Sequence, residues 1–197
     1  MHELLNPSAL VKDFGYLGIF STLFLESGII FGFFLPGDSL LFAAGLLASR
    51  HSLNLFAVIL VSIIAAILGN SAGYYTGRRW GQGLFSNEKS FWFSPKRITE
   101  AHHFFAKEGP QSLVLARFIP AVRTFVPIAA GIGQMRYKTF LLFNAVGGIL
   151  WGILLPVLGF SVGKTVTGID KYILPIIFGI IILSAIPALI HHHNRRH

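Results

Sequence analysis

Residues 116–135, ARFIPAVRTFVPIAAGIGQM, decide the fold of this chain. The stretch is too apolar for a soluble loop, yet two prolines and two glycines interrupt it, and it contains Arg117 and Arg123. An arginine at membrane depth is costly and by default indicates a functional site. Broken backbone at that depth survives only where protein covers it or where it lines a watery cavity. We therefore expect this stretch to form part of a site.

An earlier stretch, residues 26–45, ESGIIFGFFLPGDSLLFAAG, has the same broken and apolar character with the opposite charge. Its two charged residues are the acids Glu26 and Asp38, whereas the later stretch carries two arginines. Opposite charges placed in two similar segments favour a close approach of those segments. The sequence therefore predicts that the two stretches face each other and form one site.

Composition places the chain in the membrane. It has 197 residues, of which 53% are hydrophobic and 12% charged, whereas a soluble domain carries roughly 25% charged residues. The mean hydropathy of +0.66 agrees. We expect a single-domain integral membrane protein, and no removable signal peptide opens the chain. The absence of cysteine excludes disulfides, thiolate catalysis and cysteine-based metal sites.

The excess of basic residues points to lipid. The net charge is +8, and its basic residues lie mostly in loops beside apolar spans. Such a distribution is typical of membrane orientation and of contact with anionic headgroups. No basic patch is interleaved with aromatics on a soluble module, so nucleic-acid binding is not expected.

The predicted architecture is an all-α inverted repeat of a re-entrant hairpin plus a transmembrane helix. Residues 14–49 form 36 nearly apolar residues, whereas one span needs about 20. Pro36-Gly37 breaks this run, and Asp38 or Ser39 can cap a new helix. We therefore expect a hairpin with its tip at Pro36, Gly37 and Ser39. Two short or tilted spans are the competing interpretation.

The second half repeats this order. Residues 111–135 are the second hairpin, with Pro120 at its tip, and 53–77 and 139–163 are the spanning helices of the two halves. A further C-terminal span is expected at 172–190, followed by a tail at 191–197.

Two polar regions complete the chain. Residues 1–13 either form an interfacial helix that begins near Pro7 or fray, and 78–110 form a loop with a surface helix.

Short motifs support the repeat. Ala43-Ala44-Gly45 recurs 86 residues later as Ala129-Ala130-Gly131, and Gly73-Tyr74-Tyr75-Thr76-Gly77-Arg78 recurs at the same offset as Gly159-Phe160-Ser161-Val162-Gly163-Lys164. Ten of the thirteen Lys and Arg residues in flanking segments fall on the side of the 78–110 loop and the C-terminus. The positive-inside rule then places both in the cytoplasm and makes the halves antiparallel.

The four buried charges suggest transport of an anion. A guanidinium offers a planar fork that grips phosphate bidentately, so Arg117 and Arg123 are the predicted phosphate ligands. The helix that starts at Asp38 adds free backbone N–H groups. Apolar surroundings favour a protonated carboxylate, so Glu26 is a candidate proton carrier and Asp38 a candidate gate. A charge-paired scaffold without chemistry is the alternative, although apolar pairs would need less desolvation.

An enzyme is the competing class, and the sequence argues against it. No HExxH or GxSxG signature occurs, all eight histidines lie outside the apolar spans, and Ser39 has no apparent base except its neighbour Asp38. Neither a metal site nor a cofactor is expected. The histidines of the tail, His191, His192 and His193, are interpreted as solvated or as a tag remnant.

Five motifs resemble the DedA family of membrane proteins, also called the VTT-domain family. They are FLESG (24–28), FLPGDSLLFAAGLLA (34–48), GNSAGYYTGRRWG (69–81), residues 116–135 and NAVGGILWG (144–152). The resemblance implies opposed re-entrant hairpins, lipid translocation linked to undecaprenyl phosphate, the proton motive force and envelope integrity, and location in the bacterial cytoplasmic membrane. The family's important acidic and arginine positions fall on Glu26, Asp38, Arg117 and Arg123.

We therefore expect a proton-linked carrier or flippase for undecaprenyl phosphate or an anionic phospholipid headgroup. An uncoupled phospholipid scramblase and a small-ion or proton-coupled transporter are the alternatives. The expected partners are membrane lipids and protons, and a homo-oligomer is left open.

Overall fold

The computed structural model describes residues 7–29, 36–84, 105 and 107–165. These residues are helical and contain no strand, as expected for an all-α chain. Their helices are α1 (Pro7–Gly28), α2 (Gly37–Ser49), α3 (Leu55–Leu84), α4 (Ser112–Ala116), α5 (Pro120–Arg123), α6 (Phe125–Ile132) and α7 (Tyr137–Thr165). The predicted span at 172–190, the tail at 191–197 and most of the 78–110 loop lie outside the described residues.

The two long helices confirm the two predicted spans. Residues Leu55–Trp80 of α3, 26 in all, contain an 18-residue window of mean hydropathy 2.3, and the 29 residues of α7 contain one of 2.1. Each is long enough to cross a bilayer, which needs about 20 residues. The helix α3 continues seven residues beyond the predicted end at Gly77. That glycine does not end the helix but packs against the backbone of Ile128.

The described part of the first broken stretch differs from the prediction. The helix α1 starts at Pro7, as expected of an interfacial helix, but it continues unbroken to Gly28, so residues 7–13 and 14–28 are not separate helices. The helix α2 starts at Gly37, directly after Pro36, and no side chain caps it. The expected cap at Asp38 or Ser39 is therefore wrong. Leu40 N donates to Pro36 O at 2.9 Å, so the helix begins before Asp38 and Ser39. These two residues therefore lie in its first turn.

The second broken segment consists of the short helices α4, α5 and α6. Ile119 is extended, with φ −109° and ψ 105°, because the residue before a proline avoids the helical region. Pro120 then occupies the first turn of α5, where its missing N–H costs no hydrogen bond. The chain leaves α6 at Gly133 and Gln134, and Gln134 has a positive φ of 51°. The predicted break in the backbone is confirmed here.

The chain divides into two compact units. In the first, which includes 36–65 and 152–165, α2 packs on the C-terminal half of α7. A Cβ added to Gly45 would overlap the carbonyl oxygen of Pro156, and one added to Gly159 would overlap that of Phe42. Only glycine permits such backbone contact.

In the second unit, which includes 24–29 and 66–151, α6 packs on α3 by the same kind of contact. A Cβ on Gly131 would overlap the carbonyl oxygen of Tyr74, and one on Gly77 would overlap that of Ile128. Gly28 and Gly69 similarly bring the end of α1 against α3. The glycines of α3 thus form a packing face. The contact between Gly28 and Gly69 places Glu26, near the end of α1, in this unit.

Candidate functional site

Arg117 is held at the end of α4 by oxygen atoms of two long helices. Its Nη1 donates to the carbonyl oxygen of Asn144 at 3.2 Å and to the side-chain Oδ1 of Asn144 at 3.3 Å. Its Nη2 donates to the carbonyl oxygen of Ala66 at 3.3 Å. The residue is 6% exposed. The guanidinium is therefore fixed from two sides, by α3 and by α7.

A pair of glycines in α7 makes room for Arg117. A Cβ added to Gly148 would lie 3.3 Å from Arg117 Nη1, and one added to Gly147 would lie 3.5 Å from Arg117 Cδ. The distance at Gly148 is shorter than most contacts of a Cβ atom, whereas that at Gly147 is an ordinary van der Waals contact. Gly148 of the NAVGGILWG motif thus lets the guanidinium lie close to the surface of α7.

Arg123 is the last residue of α5, and it forms an ion pair with Glu26 through Nη2 and Oε1. The Glu26 side chain is 2% exposed and that of Arg123 is 14% exposed. Apart from this ion pair, neither carboxylate oxygen of Glu26 accepts a hydrogen bond from the described part of the chain. The pair joins the C-terminal end of α1 to the second broken segment.

Trp151 connects the two arginines. Its ring centroid lies 5.6 Å from the Cζ atom of Arg117 and 5.4 Å from that of Arg123. Both distances are within the roughly 6 Å range of cation–π attraction, which tryptophan provides best. The indole is 4% exposed. One buried indole ring thus lies beside both guanidinium groups.

Two amides complete the polar network. Asn144 Nδ2 donates to the carbonyl oxygen of Ile67 at 3.1 Å, and the side-chain amide of Asn70 contacts Asn144 Oδ1 at 2.9 Å and Arg117 Nη2 at 3.1 Å. The carbonyl oxygens of Ala66 and Ile67 belong to α3, where their second lone pairs can accept these bonds without breaking the helix. The network therefore ties α3, α7 and the end of α4 together.

Both arginines line one small, partly open pocket, whose cavity volume is about 10 Å³. Its walls mix apolar and polar side chains, and they are formed by Asn70, Leu113, Ala116, Arg117, Arg123, Val126, Pro127, Phe140 and Asn144. Ligand pockets commonly measure about 300–1,000 Å³. The pocket is therefore smaller than a typical ligand site in this conformation.

Three of the four predicted charged residues lie in the same compact unit. Glu26, Arg117 and Arg123 lie in the second unit. Asp38 lies in the first turn of α2, in the first unit, as do the predicted tip residues Pro36, Gly37 and Ser39. Within the described residues, no group of three His, Cys, Asp or Glu side chains comes together as in a metal site.

Sequence reasoning gave no role in the site to Asn70, Asn144 and Trp151. Asn70 and Asn144 are polar residues within apolar spans, which was a usable signal because such groups need hydrogen-bond partners. Trp151 is buried. Its contact with both guanidinium groups had no sequence signal, because the partners lie 34 and 28 residues away.

Comparison with known proteins identifies the family. The profile of the VTT domain matches residues 35–161. Protein DedA of Escherichia coli K12 is 39% identical over 195 residues, which cover 96% of this chain and 89% of that protein. An uncharacterized membrane protein of Mycobacterium leprae is 42% identical over 168 residues, or 85% and 75% of the two chains.

The inner membrane protein YqjA of Escherichia coli K12 is 38% identical over 165 residues, which cover 82% of this chain and 73% of that protein. No solved structure shows a significant match. The domain match covers more than half of the chain, and the relatives align along most of it. The chain therefore belongs to the DedA family of VTT-domain membrane proteins.

Proposed function

We propose that this protein is a transporter that carries a phosphate-bearing lipid across the bacterial inner membrane. The cargo is undecaprenyl phosphate or an anionic phospholipid, and the protein is not an enzyme. One observation carries the proposal: Arg117 and Arg123 line the same pocket in an otherwise apolar chain. Two buried guanidinium groups in one pocket are costly unless an anion gains from them.

The pair of Glu26 and Arg123 supports coupling to protons. The carboxylate holds one guanidinium by an ion pair. When Glu26 takes up a proton, it loses the charge that binds Arg123, and the guanidinium can turn to a phosphate. Deprotonation of Glu26 then draws Arg123 back and releases the lipid. Asp38, in the first turn of α2, is proposed as a second acid that gates the cycle.

An inverted repeat of re-entrant hairpins is the proposed frame. The glycine contacts support it, because each Ala-Ala-Gly helix packs on the long helix of the other half: α2 on α7, and α6 on α3. Gly159 faces Phe42 and Gly77 faces Ile128. Phe42 and Ile128 are 86 residues apart, which is the offset of the repeat, whereas Gly77 and Gly159 are 82 apart, about one helical turn from it. Crosswise use of repeated motifs is expected when two copies exchange partners.

The proposed location and orientation follow from the relatives and from charge. YqjA is named an inner membrane protein, and we propose the same membrane here, with the C-terminus in the cytoplasm. Single cysteines at Ser90 and Asn194 should resist a membrane-impermeant thiol reagent in intact cells and react after the cells are lysed. Labelling of either residue in intact cells contradicts this orientation.

Transport in liposomes tests the function. Purified protein should move a labelled polyprenyl phosphate across the bilayer, and the rate should depend on an imposed pH gradient. Arg123→Lys keeps the charge but loses the planar fork. A hydrogen bond to a charged group contributes about 1.5–3 kcal/mol, so binding should weaken about tenfold or more. Arg136→Lys, an exchange at an exposed site, is the control and should leave transport unchanged.

Two outcomes would redirect the assignment. Transport of equal rate with and without the gradient indicates an uncoupled scramblase. If Arg123→Lys and Arg117→Lys both bind the lipid phosphate as tightly as the wild type, the phosphate role is wrong and the charges form a scaffold.

A further inference from the structure

Asn144 is the centre of the network around Arg117. It is 3% exposed, and it offers Arg117 Nη1 two acceptors, its own carbonyl oxygen and its side-chain Oδ1. Its Nδ2 donates to the carbonyl oxygen of Ile67, so the amide cannot turn without losing a bond to α3. The residue also lines the pocket that both arginines share. Asn144 therefore touches both the cation and the space in front of it.

The two arginines are held in physically different ways. Asn144 and Ala66 offer neutral acceptors to both terminal nitrogens of Arg117, and these bonds do not change with pH. Arg123 forms an ion pair with Glu26, a carboxylate that a proton can neutralise. Uptake of a proton by Glu26 therefore weakens a bond of Arg123 and leaves the bonds from Arg117 to Asn144 and Ala66 in place.

We propose that Asn144 is a positioning residue that fixes Arg117 as the static half of the phosphate site, while Arg123 is the half that exchanges between Glu26 and the phosphate. This inference rests on the proposed function. A neutral amide suits the task because it orients a guanidinium without cancelling its positive charge. A carboxylate at the same place would hold Arg117 more strongly but would reduce the positive field that attracts the phosphate.

This difference between holding and neutralising supplies the test. Asn144→Asp preserves the shape of the side chain and an acceptor for Arg117, and it adds a negative charge beside the pocket. Asn144→Leu removes both the acceptor and the donor. Asn54→Asp is the matched control, because Asn54 Oδ1 only accepts from Ala57 N at the start of α3, a task that aspartate also performs.

The experiment measures binding of farnesyl phosphate and the melting temperature on the same detergent-purified variants. Asn144→Asp keeps an acceptor for Arg117 but loses the donor to Ile67. We therefore expect it to melt well above Asn144→Leu, yet to bind farnesyl phosphate at least tenfold more weakly than the wild type. Asn144→Leu should lose both stability and affinity, and Asn54→Asp should change neither. A purely structural role for Asn144 predicts that stability and affinity move together. Wild-type affinity in Asn144→Asp overturns the inference.

A second measurement separates this inference from the proposed function. If the wild type binds neither farnesyl phosphate nor a short-chain phosphatidic acid, the proposed function fails. The hold of Asn144 on Arg117 is then judged by melting temperatures of Asn144→Leu, Arg117→Leu and the double variant. If the residues act together, the double variant should lose clearly less than the sum of the single losses. Additive losses overturn the positioning role.

Discussion

The two Ala-Ala-Gly helices, α2 and α6, make the same backbone contact but differ in what surrounds it. Gly45 of α2 meets the carbonyl oxygen of Pro156, and Gly131 of α6 meets that of Tyr74. The helix α2 has 13 residues without interruption. The helix α6 has 8 residues, and the still shorter α4 and α5 precede it. The packing is therefore shared, and within the described residues the segment before α6 is broken into short helices.

The breaks are what create the site. Arg117 follows α4 and Arg123 ends α5, so each guanidinium lies where a short helix exposes carbonyl groups and where the chain changes direction. A continuous helix would place residues six apart about 120° from each other around its axis, because each residue turns by about 100°. The interruption at Phe118 and Ile119 lets both side chains reach one pocket. The comparison teaches that glycine contacts build the frame and that proline-induced breaks build the site.

The largest loss of stability is expected from removal of Arg123, which lies in the second unit. Arg123→Ala leaves the Glu26 carboxylate buried, and that group accepts no hydrogen bond from the described residues. Breaking a buried ion pair costs about 3–5 kcal/mol. Unfolding of the purified variant in a denaturing detergent should show this loss.

Two companion variants separate charge from packing. Arg136→Ala removes an exposed arginine and should change stability by less than about 0.5 kcal/mol. Arg123→Gln combined with Glu26→Gln should recover much of the loss, because no charge stays behind. If the double variant is as unstable as Arg123→Ala, the ion pair is not the cause.

The next effect should be similar in both units and tests their likeness directly. Gly45→Ala and Gly131→Ala each force a methyl group into a backbone carbonyl. Overpacking of this kind costs about 1–3 kcal/mol. The control is Gly18→Ala in α1, where a Cβ meets no atom within 4 Å, and alanine there should be neutral or stabilising. A tolerated alanine at only one of the two positions would break the comparison.

The smallest effect concerns a hydroxyl group that only one unit carries. Tyr74 and its repeat counterpart Phe160 differ by that group. Tyr74 Oη donates to the carbonyl oxygen of Met135 at 2.5 Å and accepts from Arg78 Nη1 at 2.7 Å. In the first unit, the counterpart of Arg78 is Lys164, which lies over the Phe160 ring at 5.6 Å.

Tyr74→Phe therefore makes the second unit resemble the first. We expect a loss of about 0.5–1.5 kcal/mol in the free energy of unfolding, because a buried hydrogen bond contributes that much. The ring should keep its stacking on Phe140, whose centroid lies 4.6 Å away. Phe160→Tyr is the reverse exchange and should not stabilise the protein, because Phe160 is half-buried and a hydroxyl there can already bind water in the unfolded chain. A gain in stability there would contradict this view.

Much of this protein could be predicted from the sequence because the signals are local. Two apolar runs of sufficient length specify α3 and α7, and Pro36 and Pro120 specify where helices must stop and start. The charges at Glu26, Arg117 and Arg123 stand out because a charge inside an apolar run is costly wherever it is placed. These properties depend on composition and spacing, so they survive without knowledge of the fold.

Only the tertiary structure decided which groups meet. The sequence does not show that Glu26 pairs with Arg123, that Asn144 holds Arg117, or that Trp151 lies beside both guanidinium groups. These partners are separated by 27 to 97 residues, and the choice among acceptors depends on how closely the helix backbones approach. Glycines such as Gly77 and Gly131 set that approach, because a single Cβ would move each helix away from its partner and the polar groups out of hydrogen-bond reach.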